Sequence, residues 1–345
     1  MNVRFVAILS GFILVTATGC SGCNGGGRPK DGATIELINV SYDPTRELYQ
    51  QINEAFAADY LAKTGTPIKV TQSHGGSGAQ ARAVIDGLEA DVVTLALASD
   101  VESLENKGLI TSDWQTRLPN NASPYTSTVV FVTRAGNQKK IKDWPDLAKE
   151  GVKVITPNPK TSGGARWNFV AAWGYVTVHQ KGTDAEAEEF VRKLYKNVPK
   201  LDTGARGSTE TFARRNLGDV AISWENEAFL LQKEFPNEKF EVVYPSVSVR
   251  AEPPVAVVDR VVDQRKSRAP AEEYLRYLYT EPAQIIVGRN GYRPNDPANL
   301  KKFAPTLPDI PLFTIRDVAG SWKNAHDRFF ADGGVFDKIY QPKGK

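Results

Sequence analysis

Apolar runs along the chain are repeatedly followed by stretches of helical spacing, the signature of a wound α/β protein. Residues 34–40 run apolar and predict a strand. Asp43-Pro44 then supplies an N-cap with proline at the first helical position, and Glu47 falls in the first turn. Leu48, Ile52, Ala55, Phe56 and Tyr60 follow at helical spacing. Residues 67–72 predict a second strand, which ends at a Gly/Ser turn where Ser77 caps a helix running through Leu88. Residues 91–98 are apolar throughout, as expected of a parallel strand covered on both faces. Strand, helix, strand, helix, strand is the doubly wound order.

The alternation then begins again. Residues 126–133 predict a strand that crosses into a second lobe, and 152–156 predict another. A helix from Ser162 onward carries Trp167, Phe169, Val170 and Trp173. Residues 184–195 form a polar-faced helix, and 219–224 a buried strand ending at Trp224-Glu225. Strands at 240–244 and 255–258 return the chain to the first lobe, and 271–279, 282–289 and 318–330 read as outer helices. The 345 residues exceed one ordinary core, which favours two lobes. The expected division is 34–122 and 246–345 in lobe 1, with 123–245 in lobe 2.

Three Ser/Gly-rich turns stand between a strand and a helix. They are His74-Gly75-Gly76-Ser77-Gly78, Thr161-Ser162-Gly163-Gly164-Ala165-Arg166 and Thr203-Gly204-Ala205-Arg206-Gly207-Ser208. A helix N-terminus presents unpaired N–H groups and the positive end of a dipole. Glycine lets an anion approach that backbone, and serine adds a hydroxyl. In an open α/β sheet, ligands bind beyond the carboxyl ends of strands. Three such turns, one from the first lobe and two from the second, predict an oxyanion held in the cleft between lobes by neutral donors.

Composition narrows the class. Hydrophobic residues make up 41% and charged residues 24%, ordinary for a soluble globular chain. A net charge of +3 gives no concentrated basic face for nucleic acid. The first residues read as a signal peptide, 1–19, with Arg4 as the positive n-region and 5–16 as an apolar stretch too short for a confident membrane span. Ala17-Thr18-Gly19-Cys20 resembles a bacterial lipobox in which Cys20 becomes the lipidated N-terminus, although its first position departs from the usual Leu or Val. A plain secretory signal cleaved nearby is the alternative. Residues 20–33 read as a Gly-rich tether. Both cysteines, Cys20 and Cys23, fall in this leader, so the body has no disulfide and no thiol nucleophile.

Three long segments carry a resemblance. They are Asn39-Val40-Ser41-Tyr42-Asp43-Pro44-Thr45-Arg46-Glu47-Leu48-Tyr49, Gln72 to Gly78, and Ile155-Thr156-Pro157-Asn158-Pro159-Lys160-Thr161-Ser162-Gly163-Gly164-Ala165-Arg166-Trp167. They resemble the signature segments of bacterial periplasmic sulfate-binding proteins, the solute receptors of sulfate/thiosulfate ABC importers, and the likeness spans about 35–339. The resemblance implies an α/β, two-lobed periplasmic binding protein of type II-like organisation. It implies sulfate as ligand, an ABC permease as partner, no cofactor, no metal and a monomer. By position it makes Ser77 a donor through backbone N–H and hydroxyl, adds Ser162, Gly163 and Gly164, the N–H of Ala205 and the indole N–H of Trp224. Ser223 and Thr161 differ from residues common in the family, without touching the donor set.

Other readings compete at the same residues. Ser77 suits a plain N-cap, and Trp224 a core aromatic. Arg166 and Arg206 adjoin the donor turns. Direct pairing with the anion is one reading; support from behind, or pairing across the lobes with a residue such as Asp43, is the favoured one. Thiosulfate offers similar oxygens and is the alternative ligand. A serine hydrolase built on Ser77 is a remote alternative, since Gly75-Gly76-Ser77-Gly78 only loosely imitates a nucleophile elbow. It would need a downstream histidine, and His179 and His326 both fall in helices. No complete phosphate-binding Gly-x-x-x-x-Gly-Lys loop occurs, and three scattered histidines make a zinc site a poor fit.

Overall fold

The computed structural model describes residues 34–340; the expectations for the signal peptide, the tether and Cys20 lie outside the described residues. The first run of elements is β1 (Ile35–Tyr42), α1 (Arg46–Thr64), β2 (Ile68–Gly75), α2 (Ser77–Ile85), β3 (Val92–Thr94) and α3 (Ala98–Glu105). The second is β4 (Val129–Thr133), β5 (Val154–Pro157), α4 (Gly163–Gly174), α5 (Asp184–Lys196), β6 (Leu201–Asp202), α6 (Ala205–Ala213), β7 (Val220–Trp224), α7 (Glu225–Glu234) and β8 (Glu241–Val243). β9 (Val255–Val257) follows.

These strands make two sheets. The first has four strands in the order β9-β3-β1-β2, with β1 parallel to both neighbours and β9 antiparallel to β3. The second has five in the order β6-β5-β7-β4-β8; β5, β6 and β7 run parallel and β4 antiparallel. The chain thus leaves the first sheet after β3 and returns to it at β9, the expected 255–258 strand; the strand expected at 240–244 does not return with it but pairs with β4 as the edge strand β8 of the second sheet. Parallel strands joined through helices place β2→α2, β5→α4 and β6→α6 turns at carboxyl ends, which is where the Ser/Gly segments fall.

The helical spacing of α1 buries Leu48, Tyr49, Ile52, Phe56 and Tyr60, which pack with Tyr274 and Tyr277 from later helices. Each such side chain contributes about 1.5–3 kcal/mol on leaving water. The helix ends at Gly65, whose φ of 71° is the left-handed conformation that closes a helix by bonding back to Leu61.

Helix α4 explains a departure from the expected layout. Every residue from Gly163 to Gly174 is buried, so the second sheet alone cannot cover it. The C-terminal segment does so. Trp322 meets Trp167 edge-on with centroids 4.4 Å apart, Phe330 meets Phe169 at 5.2 Å and Phe329 meets Trp173 at 4.8 Å. The described part of the 246–345 stretch expected in lobe 1 therefore does not all stay with the first sheet. The helices Arg268–Tyr277 and Glu281–Arg289 pack there, while Phe313, Ile315, Trp322 and Phe336 join the core around α4. The single helix expected over 318–330 is also broken. It becomes Ile315–Ala319, Trp322–Ala325 and a π turn His326–Phe330, interrupted at Gly320 with φ 76°.

Candidate functional site

Four helix starts meet at the facing edges of the two sheets. At the first, β2 runs into Gly76, and the carbonyl of Gly76 accepts from the N–H groups of Ala79 and Gln80, both at 2.9 Å. The N–H groups of Ser77 and Gly78 are left without a partner among the described residues. The Ser77 hydroxyl is committed elsewhere: it donates to the Asp100 carboxylate and accepts from the Ala96 N–H at 3.0 Å. The expected hydroxyl donation by Ser77 differs from this arrangement. A buried carboxylate on the next helix outcompetes an outward role, so only the backbone N–H remains free.

At the second start, Ser162 caps α4, and its Oγ accepts from the Ala165 N–H at 3.3 Å. Its hydroxyl proton stays available. The N–H groups of Gly163 and Gly164 have no partner among the described residues. A side chain at Gly163 would force its neighbours to shift, and one at Gly164 would crowd the Trp224 indole. A Cβ on Gly163 would lie 2.8 Å from the Ala96 Cβ and 3.0 Å from the Ser77 Cβ, and one on Gly164 would lie 3.0 Å from the Trp224 Nε1. The α4 turn therefore rests directly on the α2 turn, and β7's end rests on α4.

At the third start, Gly204 precedes α6, Ser208 N–H bonds the Gly204 carbonyl at 3.2 Å, and the Ala205 N–H is free among the described residues. The fourth is Trp224, last residue of β7. Its indole is buried and lies 5.5 Å, centroid to centroid, from Tyr42 at the end of β1. The indole N–H reaches only the Gly164 carbonyl, at the long distance of 3.5 Å. Gly164, Ala205 and Trp224 share the wall of one small cavity. The structure thus brings Ser77, Ser162, Gly163, Gly164, Ala205 and Trp224 to one neighbourhood.

The charges beside these donors are already matched. Arg166 donates to the Pro159 carbonyl at 2.9 Å and lies 3.5 Å from Asp100. Burial pushes the Asp100 carboxyl up, and the Arg166 charge and Ser77 hydroxyl oppose that push. Arg206 donates to both Glu47 carboxylate oxygens at 3.1 Å and lies 3.5 Å from Glu227 and 3.4 Å from Glu234. Burial raises Glu227 to about 7, with Arg206 pulling it down and Glu47 adding to the rise. Both arginines pair across the two sheets, but not with Asp43. Asp43 takes Arg46, one turn on, at 2.9 Å, and its other oxygen sits 2.7 Å from where a Gly204 Cβ would be.

Asp100, Glu47 and Glu227 escaped sequence reading. Each lies in the first turns of a helix, a common place for acids, so nothing in the sequence marks them. The hydrolase geometry is not what forms: the Ser77 hydroxyl bonds a carboxylate and a backbone N–H, not an imidazole. Among the described residues no cluster of His, Cys, Asp and Glu has the makings of a metal site, and no helix is long and apolar enough to cross a membrane.

A family model described as bacterial extracellular solute-binding protein matches residues 37–293. The sulfate-binding protein of Escherichia coli is 55% identical over 305 residues, covering 88% of this chain and 93% of that one. The thiosulfate-binding protein of Pseudomonas aeruginosa is 51% identical over 311 residues, covering 90% and 93%. Among solved structures, the sulfate-binding protein SubI of Mycobacterium tuberculosis superposes with a TM-score of 0.78 at 32% identity, covering 86% of this chain and 99% of that one. The fold is that of the periplasmic binding proteins. The chain belongs to the bacterial extracellular solute-binding protein family, among the relatives of the sulfate- and thiosulfate-binding proteins.

Proposed function

We propose that this chain is an extracytoplasmic receptor that binds sulfate and delivers it to the permease of an ABC importer, without doing chemistry on it. The observation that carries this reading is the set of unpartnered N–H groups at three abutting helix starts, beside arginines already matched by carboxylates. The donors are the N–H groups of Ser77, Gly163, Gly164 and Ala205, the Ser162 hydroxyl and the Trp224 indole. The two sheets belong to lobes that close on the anion, and the Arg166–Asp100 and Arg206–Glu47 pairs hold the closed form. Likeness to a sulfate-binding protein over 93% of its length supports the ligand. The 51% likeness to a thiosulfate-binding protein favours thiosulfate as a second ligand.

Selectivity follows from the donors. Sulfate is fully ionised near neutral pH and only accepts hydrogen bonds. Phosphate keeps a proton, which would face another donor, and a buried mismatch of that kind costs about 1–3 kcal/mol. Calorimetry with sulfate, thiosulfate and phosphate should show tight sulfate binding and phosphate at least about 10-fold weaker. Phosphate binding as tight as sulfate would sink the reading.

The receptor acts as a monomer tethered through a lipid on Cys20, a reading motivated by Gly19-Cys20 after the apolar run. Cys20→Ala should move the protein from the membrane fraction to the soluble one. A wild-type protein already soluble after fractionation would count against the tether.

A further inference from the structure

Cations from several elements converge on one groove at the outer end of the second sheet. The groove has a volume of about 890 Å³; Lys153, Arg192, Lys196 and Lys338 line it, and no Asp or Glu does. Lys153 precedes β5, Lys196 closes α5 and Lys338 lies on the helix Val335–Ile339. All three lysines are exposed, and among the described residues none takes part in an ion pair or a side-chain hydrogen bond. Lys139 extends the rim, its Nζ donating to the carbonyl of Gly151, another lining residue, at 2.9 Å. Lys140 and Lys142 follow it, both exposed. The nearby carboxylates are spent elsewhere. Glu188 and Glu189 pair with Arg192, Asp146 pairs with Lys149, and Asp219 accepts from the Lys153 backbone N–H at 2.8 Å. Residues 341–345 add Lys343 and Lys345 to the sequence and no acid.

Like charges held together repel, and an anionic partner relieves the repulsion. One small anion suits this groove poorly, because the lysines are solvated, stand on separate elements and share no buried donor. A layer of negative charge suits it well. We propose that this face of the receptor docks on the anionic phospholipid headgroups of the membrane. The inference rests on the receptor reading above. Tyr195 and Tyr340, also in the groove wall, are of the residue type that favours the headgroup layer. The placement agrees with delivery of a ligand. The Ser162–Gly164 turn follows the carboxyl end of β5, so a groove at its amino end leaves the proposed anion site uncovered. β1 starts at the outer end of the first sheet, where residues 20–33 lead into the body. A tether at one end and a headgroup contact at the other would lay the receptor along the bilayer, with the cleft between them.

Lys153, Lys196 and Lys338 give the test, because neutralising them breaks no ion pair or side-chain hydrogen bond of the described residues. The full chain carrying Cys20→Ala, which removes any lipid of its own, is sedimented with vesicles of phosphatidylglycerol or of phosphatidylcholine. At about 0.05 M salt it should partition onto phosphatidylglycerol at least about tenfold better, and about 0.5 M salt should release it. Adding Lys153→Gln, Lys196→Gln and Lys338→Gln should lower that partition at least about tenfold. Melting temperature and sulfate affinity should stay those of the parent chain. Adding instead Lys69→Gln, Lys107→Gln and Lys266→Gln, three exposed lysines beside the first sheet, removes the same net charge and should change the partition less than about threefold. Equal partition onto the two lipids, or equal losses in the two triple variants, overturns the proposal. If the wild-type chain binds no sulfate, the receptor reading fails, while the vesicle partition still decides the headgroup contact.

Discussion

The first-sheet side of the site offers one free turn, at Ser77 and Gly78, together with two carboxylates, Asp100 and Glu47. The second-sheet side offers the N–H groups of Gly163, Gly164 and Ala205, the Ser162 hydroxyl, the Trp224 indole and both arginines. The division is lopsided. In the proposed function, the second side makes most of the ligand contacts, and the first side closes on it with one N–H and two ion pairs. The positive charges sit with the donors yet are spent on carboxylates that arrive from across the cleft. In that reading the anion meets neutral dipoles, while the cations report whether the two sides are together.

The largest effect should come from keeping the sides apart. Gly163→Val adds atoms where even a Cβ would lie 2.8 Å from Ala96 and 3.0 Å from Ser77, both on the first side. The strain falls on the contact between sides, since neither neighbour belongs to α4. Sulfate affinity should drop more than about 100-fold. Wild-type affinity in that variant would mean the ligand binds one side alone and the closing contact is irrelevant.

A smaller effect should come from subtracting one donor. Trp224→Phe keeps most of the ring packed on Tyr42 and deletes the indole N–H. A hydrogen bond to a charged group is worth roughly 1.5–3 kcal/mol, so affinity should fall about 10- to 150-fold with little loss of stability. Arg166→Lys should cost less, under about 10-fold, because the guanidinium serves Asp100 and the Pro159 carbonyl rather than the anion. Calorimetry on the pair ranks the two sources of binding. If the lysine variant loses binding while the phenylalanine variant keeps it, a cation-centred site replaces the neutral one.

The comparison also explains what the sequence made readable. The donor turns are local. Glycine, serine and a following helix lie within a few residues, so the three turns are marked by the sequence itself, and the family resemblance singles out Ser77, Ser162 to Gly164 and Ala205 within them. What the chain brings from afar could not. Asp100 captures the Ser77 hydroxyl from 23 residues away, and Glu47 captures Arg206 across 159. Asp43 is the sequence reading's example of a partner across the lobes for Arg166 and Arg206, but Arg46, three residues on, takes that carboxylate. Likewise, α4's all-round burial is visible as an apolar helix, but nothing local says that the segment from Phe313 to Ile339 comes back to cover it.

The smallest expected effect is none at all, and it is the most informative about Glu227. Among the proposed donors, backbone N–H, hydroxyl and indole groups do not titrate between about pH 5 and 8, and sulfate stays a dianion there. Glu227 does titrate nearby, held up to about 7. Its burial and two of its partners, Arg206 and Thr209, belong to the second side and travel with it. Only Glu47 and Asp43, both from the first side, approach on closure, and both raise the Glu227 value. If their approach mattered, closing would take up a proton, and sulfate affinity would fall as pH rises through about 7. Arg206 stands between Glu47 and Glu227 and shields one from the other, so affinity should change less than about twofold from pH 5 to 8. Isothermal titration across that range, in two buffers of different ionisation heat, reads both the affinity and any proton taken up. A downward slope that vanishes in Glu227→Gln would move proton uptake to this glutamate. The cluster around Arg206 would then be a pH-dependent part of closing rather than a passive clasp.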